Sequence, residues 1–244
     1  MNFYPIFWKD MLLIRKKPWK FLASSMVMPL LYLVTFGWGL GRGMNAASGG
    51  SYLDFVLPGL LVMSAMNNSF GPVSTSVNVS KLYTKTIEEV LVSPVSPWDI
   101  VLGRALTGLV RGLFSAALLL AVGLLSGAHL GLSLLFFVVL GLTAFCFSSA
   151  AVAAARVAKS HEDMSNFNSF VIIPMSFLAG TFFSPDKLPE PFRSAVLIYP
   201  LTHANLLVRA LASGQLPQPA SLLVLAVYTA LFYYLAGRMV RRVL

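Results

Sequence analysis

Positions 112–155 read GLFSAALLLAVGLLSGAHLGLSLLFFVVLGLTAFCFSSAAVAAA, a run of 44 residues without Asp, Glu, Lys or Arg. A hydrocarbon core about 30 Å thick is crossed by about 20 helical residues, so this run is too long for a single span. In its middle, SGAHLG at 126–131 has the small and glycine residues of a turn. The run therefore predicts two transmembrane helices joined by a tight connection.

The composition agrees with a membrane protein. Of the 244 residues, 57% are hydrophobic and 11% are charged, and the mean hydropathy is +0.77. A soluble domain this apolar would lack the polar residues needed to cover its surface. Cys146 is the only cysteine, so the sequence offers no disulfide framework and no CxxC metal or redox pair.

The gaps between charged residues predict an all-α integral membrane protein with six spans, at 21–41, 55–80, 100–126, 132–155, 164–184 and 220–237. With the N-terminus in the cytoplasm, fourteen Lys and Arg fall on the cytoplasmic side and four on the other, namely Arg42, Lys187, Arg193 and Arg209. This bias predicts a bacterial inner-membrane protein with both termini cytoplasmic. The net charge of +9 is explained by orientation, and we expect no nucleic-acid partner.

The first twenty residues predict an interfacial helix. Phe3, Phe7, Met11 and Ile14 recur at helical spacing, with basic residues off that stripe. Pro18 then ends the helix before the first span. An ordinary basic flank is the alternative, and a cleaved secretory signal fits poorly because the following apolar run is too long.

The connection between the second and third spans predicts a short helix at about 86–93. Thr86 and Glu89 have the spacing of a capping box, and Pro94 prevents continuation. Two turns are marginal alone, so packing must stabilise them; Val90 and Leu91 offer an apolar face. Glu88 is not needed for the cap, and a solvated side chain is its simpler interpretation. Ser96 and Pro97 predict the start of the next helix.

Two further segments are candidates for a transport path. The second span carries Asn67, Asn68, Ser69 and Phe70 beside Pro72; these polar groups either face a hydrated path or subunit interface, or bond only to neighbouring helices. Phe170 in the fifth span lines a path or faces lipid. Residues 194–208 are uncharged and interrupted by proline, which predicts a re-entrant or interfacial helix pair on the outer side; a plain extracellular loop is the alternative.

Catalytic motifs are missing from the sequence. It has no G-x-x-x-x-G-K-[ST] phosphate loop, no G-x-S-x-G elbow and no H-E-x-x-H pair, so we expect no enzyme, cofactor or metal site in this chain. His129, His161 and His203 lack metal-ligand spacing. A channel or an ion-coupled secondary carrier remains a rival to a pump subunit, although a carrier would need ionisable groups near the membrane midplane.

Two motifs resemble the type-2 ABC exporter permease family, and the resemblance extends over nearly the whole chain. The first is IEEVLVSPVS at 87–96, followed by Gly103. The second is GTFFSPDKLP at 180–189, followed by YPLT at 199–202 and Arg209. Tyr199 is a departure, because the family often has Asn before this proline.

The resemblance implies a six-helix subunit that dimerises with an identical copy or a paralogue, in contact with membrane lipid. It implies a separate ATP-binding cassette ATPase subunit that binds ATP and Mg. Domains would then be an interfacial helix (1–20), a transmembrane domain (21–240) with an external hairpin at about 186–209, and a cytoplasmic tail (241–244). The implied substrate is a drug, lipid or lipo-oligosaccharide moved outward.

The resemblance also assigns roles to particular residues. The residues implied to couple to the ATPase are Thr86, Glu88, Glu89, Val90, Leu91 and Pro94. The residues of the external hairpin signature are Phe183, Ser184, Pro185, Leu188, Pro189, Pro200 and Arg209.

Overall fold

The structure, a computed structural model, describes residues 3–16, 52–82 and 95–241, together with positions 19, 23, 25–27, 30, 31 and 33–35. Most of the predicted first span at 21–41 lies outside these residues, as does the predicted coupling helix at 86–93. The division into an N-terminal helix, a transmembrane domain and a tail therefore stays a prediction.

Helices and turns make up the described residues, which contain no strand, so the predicted all-α class is confirmed. The elements are, in order, α1 Tyr4–Lys16, α2 Tyr52–Leu82, α3 Pro97–Leu125, α4 Leu134–Val157, α5 His161–Phe167, a π-helical turn Asn168–Ile172, α6 Ile173–Leu178, a 3-10 turn Pro185–Lys187, α7 Phe192–Val196, α8 Pro200–Ala212 and α9 Pro219–Arg241.

Three of the described helices, α3, α4 and α9, are long and apolar enough to cross a membrane. At 31 residues, α2 is longer than any of them, but its polar residues dilute its hydropathy. The structure thus supports a multi-span protein, and the count of six spans stays a prediction.

The connection between α3 and α4 lies where the sequence predicted it. Ser96 caps α3 by accepting a hydrogen bond from the Trp98 N–H, with Pro97 in the first turn. The helix ends at Leu125, and Gly127 follows with φ +89°, a left-handed conformation that glycine adopts without strain. Ser133 then caps α4. The predicted pair of tightly linked helices is confirmed.

The core lies between α2, α3 and α4, which pack on one another closely. Gly108 of α3 faces the Ser148 side chain of α4. At Gly112, a Cβ atom would lie 2.7 Å from the Ala65 carbonyl oxygen and 2.8 Å from the Ala144 Cβ. Small residues let transmembrane helices approach this closely, and these two glycines therefore allow α3 to pack tightly on α2 and α4.

The fifth helical segment is irregular in its middle. A capping box between Ser160 and Asp163 starts α5, and the π turn Asn168–Ile172 separates α5 from α6. Pro174 follows this turn and has no N–H to donate to the preceding turn, which accounts for the irregularity. The segment ends at Leu178 and not at the predicted 184, because Gly180 has φ +79°.

The bundle has two distinct ends. One, called the basic end below, carries α1, the last turn of α2 with Lys81, the first turn of α3, and the end of α4 with Arg156. The other, called the hairpin end, carries the α3–α4 connection, the first turn of α2 and the segment from Gly180 to α8.

Candidate functional site

A buried ion pair attaches α1 to α3 at the basic end. Arg104 Nη1 donates to both carboxylate oxygens of Asp10, at 2.9 and 2.8 Å. It also donates to the Ser76 hydroxyl of α2 at 2.8 Å. The Asp10 residue is only 7% exposed. Buried charges are stable only when paired and hydrogen-bonded, so this cluster fixes α1 against both α2 and α3.

The two faces of α1 differ. Phe3, Phe7 and Met11 of the predicted apolar stripe are half-buried, and the side chain of Ile14, its fourth member, lies outside what the structure describes. The Phe3 carbonyl approaches Gly103 of α3. Tyr4 and Trp8 are exposed and stacked, with ring centroids 5.9 Å apart. Such amphipathic rings are typical of the membrane interface. The predicted helix is present, and its position on the bilayer surface stays a prediction.

The last turn of α2 is tied to the end of α4. Lys81 Nζ donates to the carbonyl oxygens of Arg156 and Ala158, at 2.8 and 2.7 Å. Three residues earlier, the Asn78 amide lies 3.3 Å from the Ser160 carbonyl oxygen. A Lys at the end of a helix satisfies carbonyls that have no partner within it. The chain is therefore anchored just before it enters 83–94.

Segment 83–94, which contains every predicted ATPase-coupling residue, lies outside the described residues. Its two neighbours are described, and both are fixed: α2 by Lys81, and α3 by Arg104. The structure thus describes the scaffold on either side of the predicted coupling helix.

The predicted path residues in α2 divide into two groups. The Asn68 amide donates to the Ser115 hydroxyl at 2.9 Å and to the Ser64 carbonyl oxygen at 3.1 Å. Ser69 and Phe70 are buried. These side chains bond to or pack on neighbouring helices, which was the second of the two alternatives for them.

The other predicted path residues lie on the surface. Asn67 is exposed, and so is Phe170, at 78%. Above Asn67, Gly71 has open space around the position of a Cβ atom. Phe70 stacks on Phe167, with ring centroids 5.8 Å apart. Asn67 and Phe170 are therefore open to contact from outside the described residues, by a substrate, a second subunit or lipid, and their role in a path stays a prediction.

At the hairpin end, α8 holds the segment that follows α6. Arg209 Nη2 donates to the carbonyl oxygens of Gly180 and Thr181, at 3.1 and 3.2 Å. Its guanidinium lies 4.0 Å from the centroid of the Phe55 ring of α2, a cation–π arrangement. Asn205, one turn earlier, donates to the Ala179 carbonyl oxygen at 2.8 Å. Burial lowers the pKa of Arg209 to about 10, which leaves it charged at neutral pH.

The remaining signature residues surround this contact. Pro185 and Pro200 are buried, Phe183, Ser184 and Leu188 are half-buried, and Pro189 is exposed. Sequence reasoning singled out Arg209, included Thr181 only as part of the motif at 180–189, and missed Asn205. The spacing of Asn205 and Arg209 by four residues, which puts them on one helix face, was the available signal.

A cavity of about 420 Å³ opens beside Arg209 at the hairpin end. Asp54 and His129 line it, and the Asp54 carboxylate accepts a hydrogen bond from the His129 backbone N–H at 2.7 Å. Asp54 thereby joins the first turn of α2 to the α3–α4 connection. Across the described residues, no group of three metal-ligating side chains comes together.

Comparison with known proteins identifies the family. The family described as ABC-2 type transporter matches residues 1–213. The chain belongs to the ABC-2 type transporter family. The predicted resemblance is confirmed, and the chain is a membrane transport permease of the ABC-2 type.

The sequences of two relatives can be aligned with most of this ABC-2 permease. It is 30% identical to the inner membrane transport permease YadH of Escherichia coli (strain K12), over 91% of this chain and 87% of the relative. It is 30% identical to nodulation protein J of Rhizobium meliloti (strain 1021), over 80% of this chain and 77% of the relative. Together with the apolar helices, they support a multi-pass inner-membrane protein, and the orientation of its termini stays a prediction.

Proposed function

We propose that this chain is the transmembrane subunit of an ATP-binding cassette exporter, moving a hydrophobic or amphipathic substrate outward across the inner membrane. A separate ATPase subunit binds ATP and Mg and drives the cycle. A second permease, identical or paralogous, completes the path at the subunit interface. Drugs, lipids and lipo-oligosaccharides are the substrate classes that fit the apolar spans and compact loops.

The observation that carries this proposal is the fixed scaffold of the basic end. A partner that drives transport must transmit its movement to the membrane spans through elements that are firmly attached to them. The Asp10–Arg104 pair joins α1 to α3, and Lys81 joins α2 to α4. Movement imposed on α1 or on 83–94 would therefore reach three of the long helices.

A contact at the hairpin end supports the proposal that this end closes the exit side of the transport path. The Tyr228 hydroxyl donates to the Ile198 carbonyl oxygen at 2.7 Å, at the junction of α7 and α8. Tyr228 lies nine residues into α9, which corresponds to about 13 Å along a helix. The junction of α7 and α8 is thus bonded to a residue beyond the first two turns of α9, and this contact supports a re-entrant hairpin.

The first experiment is a gentle detergent extraction of the tagged chain from its native membranes, with mass spectrometry of the proteins that accompany it. The proposal expects a stoichiometric ATPase subunit with a phosphate loop. Recovery of the chain alone, under conditions that preserve a known exporter complex, would point to a channel or an ion-coupled carrier.

A further inference from the structure

A groove of about 780 Å³ separates the fifth helical segment from α9. Its floor is the small-residue face of α4, with Ala150, Ala153 and Ala154. Phe167 and Val171 form one wall, and Phe232 of α9 contributes to the other. Small floor residues between larger walls produce a channel that is open along its length.

The lining of this groove is apolar between two polar ends. At the end of the groove farther from the basic end, the Tyr228 hydroxyl donates a hydrogen bond to the Ile198 carbonyl oxygen. At the basic end, Asp163 accepts hydrogen bonds from the backbone N–H groups of Lys159 and Ser160, at 2.8 and 3.1 Å. These bonds, that of Lys159 first, hold the pKa of Asp163 below its ordinary value. The Asp163 carboxylate is therefore already hydrogen-bonded to backbone groups at the start of α5.

Lys159 is the polar group left at this rim. Its side chain is exposed and makes no hydrogen bond within the described part of the chain, although its charge attracts the nearby Asp163 carboxylate and contributes to that group's lowered pKa. Lys81 and Arg156 add positive charge at the same end, against Glu162 and the capped Asp163. The rim is thus net positive, and the cation best placed to meet a ligand is Lys159.

The length of the groove matches one leaflet of a bilayer. Along α4 it extends from Phe147 to Val157, ten residues or about 15 Å at the rise of an α-helix. That is about half of a hydrocarbon core of roughly 30 Å. A ligand with its headgroup at Lys159 would therefore place a tail of single-leaflet length in the groove.

We propose that this groove binds an acyl chain of an anionic phospholipid from the leaflet at the basic end, with its headgroup contacting Lys159. An amphiphile explains both features together, because it needs a cation at one end and an apolar channel from there inward. A helix of a second permease copy would fill the channel but would have no use for the cation at its rim. The site is a property of the permease and does not depend on which substrate is exported.

The test uses the purified full-length permease, with any subunits that accompany it, in nanodiscs. Two photoactivatable probes are compared, phosphatidylglycerol and phosphatidylcholine with the same diazirine-bearing chain, and labelled peptides are located by mass spectrometry. We expect labelling of α4 and α9 along the groove, stronger with phosphatidylglycerol. Lys159→Gln should reduce that labelling about fivefold, the effect expected of one Lys beside an anionic headgroup, and Lys159→Arg should preserve it.

Two floor variants separate specific from annular lipid. Ala153→Phe fills the groove and should remove labelling by both probes, whereas Val138→Phe, at an exposed position near the other end of α4, should leave it unchanged. Equal labelling by the two probes, insensitive to Lys159 and Ala153, would overturn the proposal.

Two further measurements distinguish other outcomes. Disulfide formation between copies through a single cysteine at the exposed position Val157, in a Cys146→Ala background, would show that a second copy covers the groove and would also overturn the proposal. ATP hydrolysis is measured in the same preparation, so that loss of the ATPase partner, which would contradict the exporter function, is recorded separately from lipid labelling.

Discussion

Arg104 of α3 binds Asp10 of α1 although the two residues are separated by 94 positions in the sequence. Both side chains are about nine-tenths buried, with 12% and 8% exposed. The pair links the N-terminal helix directly to the bundle, and it lies at the end that we assign to the ATPase.

Breaking this pair on one side should be costly. Asp10→Ala leaves Arg104 charged and uncompensated, so we expect a loss of about 3 kcal/mol, within the range for broken buried pairs. Arg104→Met in the Asp10→Ala background should recover part of that loss. Thermal unfolding in detergent measures both, with Lys9→Ala as the exposed control. Additive effects of the two single variants would contradict the coupling.

Removing the ammonium of Lys81 should loosen the junction of α2 and α4. Lys81→Met keeps the apolar stem and deletes two charge-assisted hydrogen bonds, each worth about 1.5–3 kcal/mol. We expect at least a tenfold faster amide exchange in the last turn of α2 and around Ala158, measured by hydrogen exchange with mass spectrometry. Arg238→Met, at an exposed position of α9, is the matched control; unchanged exchange in Lys81→Met would refute the clamp.

Two glycine-to-alanine substitutions should differ in their effect on the stability of the bundle. Gly112→Ala places a Cβ against a backbone carbonyl, which should destabilise the bundle by about 1–3 kcal/mol. Gly141→Ala in α4 places a Cβ 3.7 Å from the Leu113 side chain, an ordinary van der Waals distance, and should be neutral or stabilise by up to about 1 kcal/mol. The unfolding temperatures of the two variants provide the comparison. Equal shifts would show that helix propensity, and not close packing, governs Gly112.

Arg209→Lys should loosen the attachment of the segment that begins at Gly180 and Thr181 to α8. A lysine ammonium cannot contact both carbonyl oxygens and lie flat on the Phe55 ring as a guanidinium does. We expect faster reaction of a cysteine at the half-buried position Phe183 with a membrane-impermeant thiol reagent, in a Cys146→Ala background. Lys187→Arg serves as the control. Reaction only from the cytoplasmic side would reverse the assigned orientation.

Glu88→Lys tests the predicted coupling segment. Reversing this charge should reduce substrate-stimulated ATP hydrolysis in the reconstituted complex while leaving membrane insertion intact. Glu162→Lys, which changes an exposed acid in the first turn of α5, is the control. Unchanged stimulated hydrolysis in Glu88→Lys would argue against a role for this residue.

The sequence alone determined the all-α class, the α3–α4 pair and the family. Each rests on local information: uncharged length identifies spans, glycine and serine mark the turn at 126–131, and contiguous motifs near 87–96 and 180–189 carry the family resemblance. The cap at Ser96 also follows from residue type, because side-chain capping and backbone preference act over a few positions.

Only the tertiary structure decided which polar residues meet. In the sequence, Asp10 was indistinguishable from an ordinary charged residue on an interfacial helix. Lys81 was indistinguishable from the other cations of the positive-inside pattern. Asn68 and Ser115 lie 47 residues apart, and Lys81 reaches carbonyl oxygens 75 and 77 residues away. In an apolar surrounding a polar group must find some partner, and the sequence therefore dictates that partners exist. Which one it finds depends on how the helices are rotated and staggered, and packing sets that over the whole bundle.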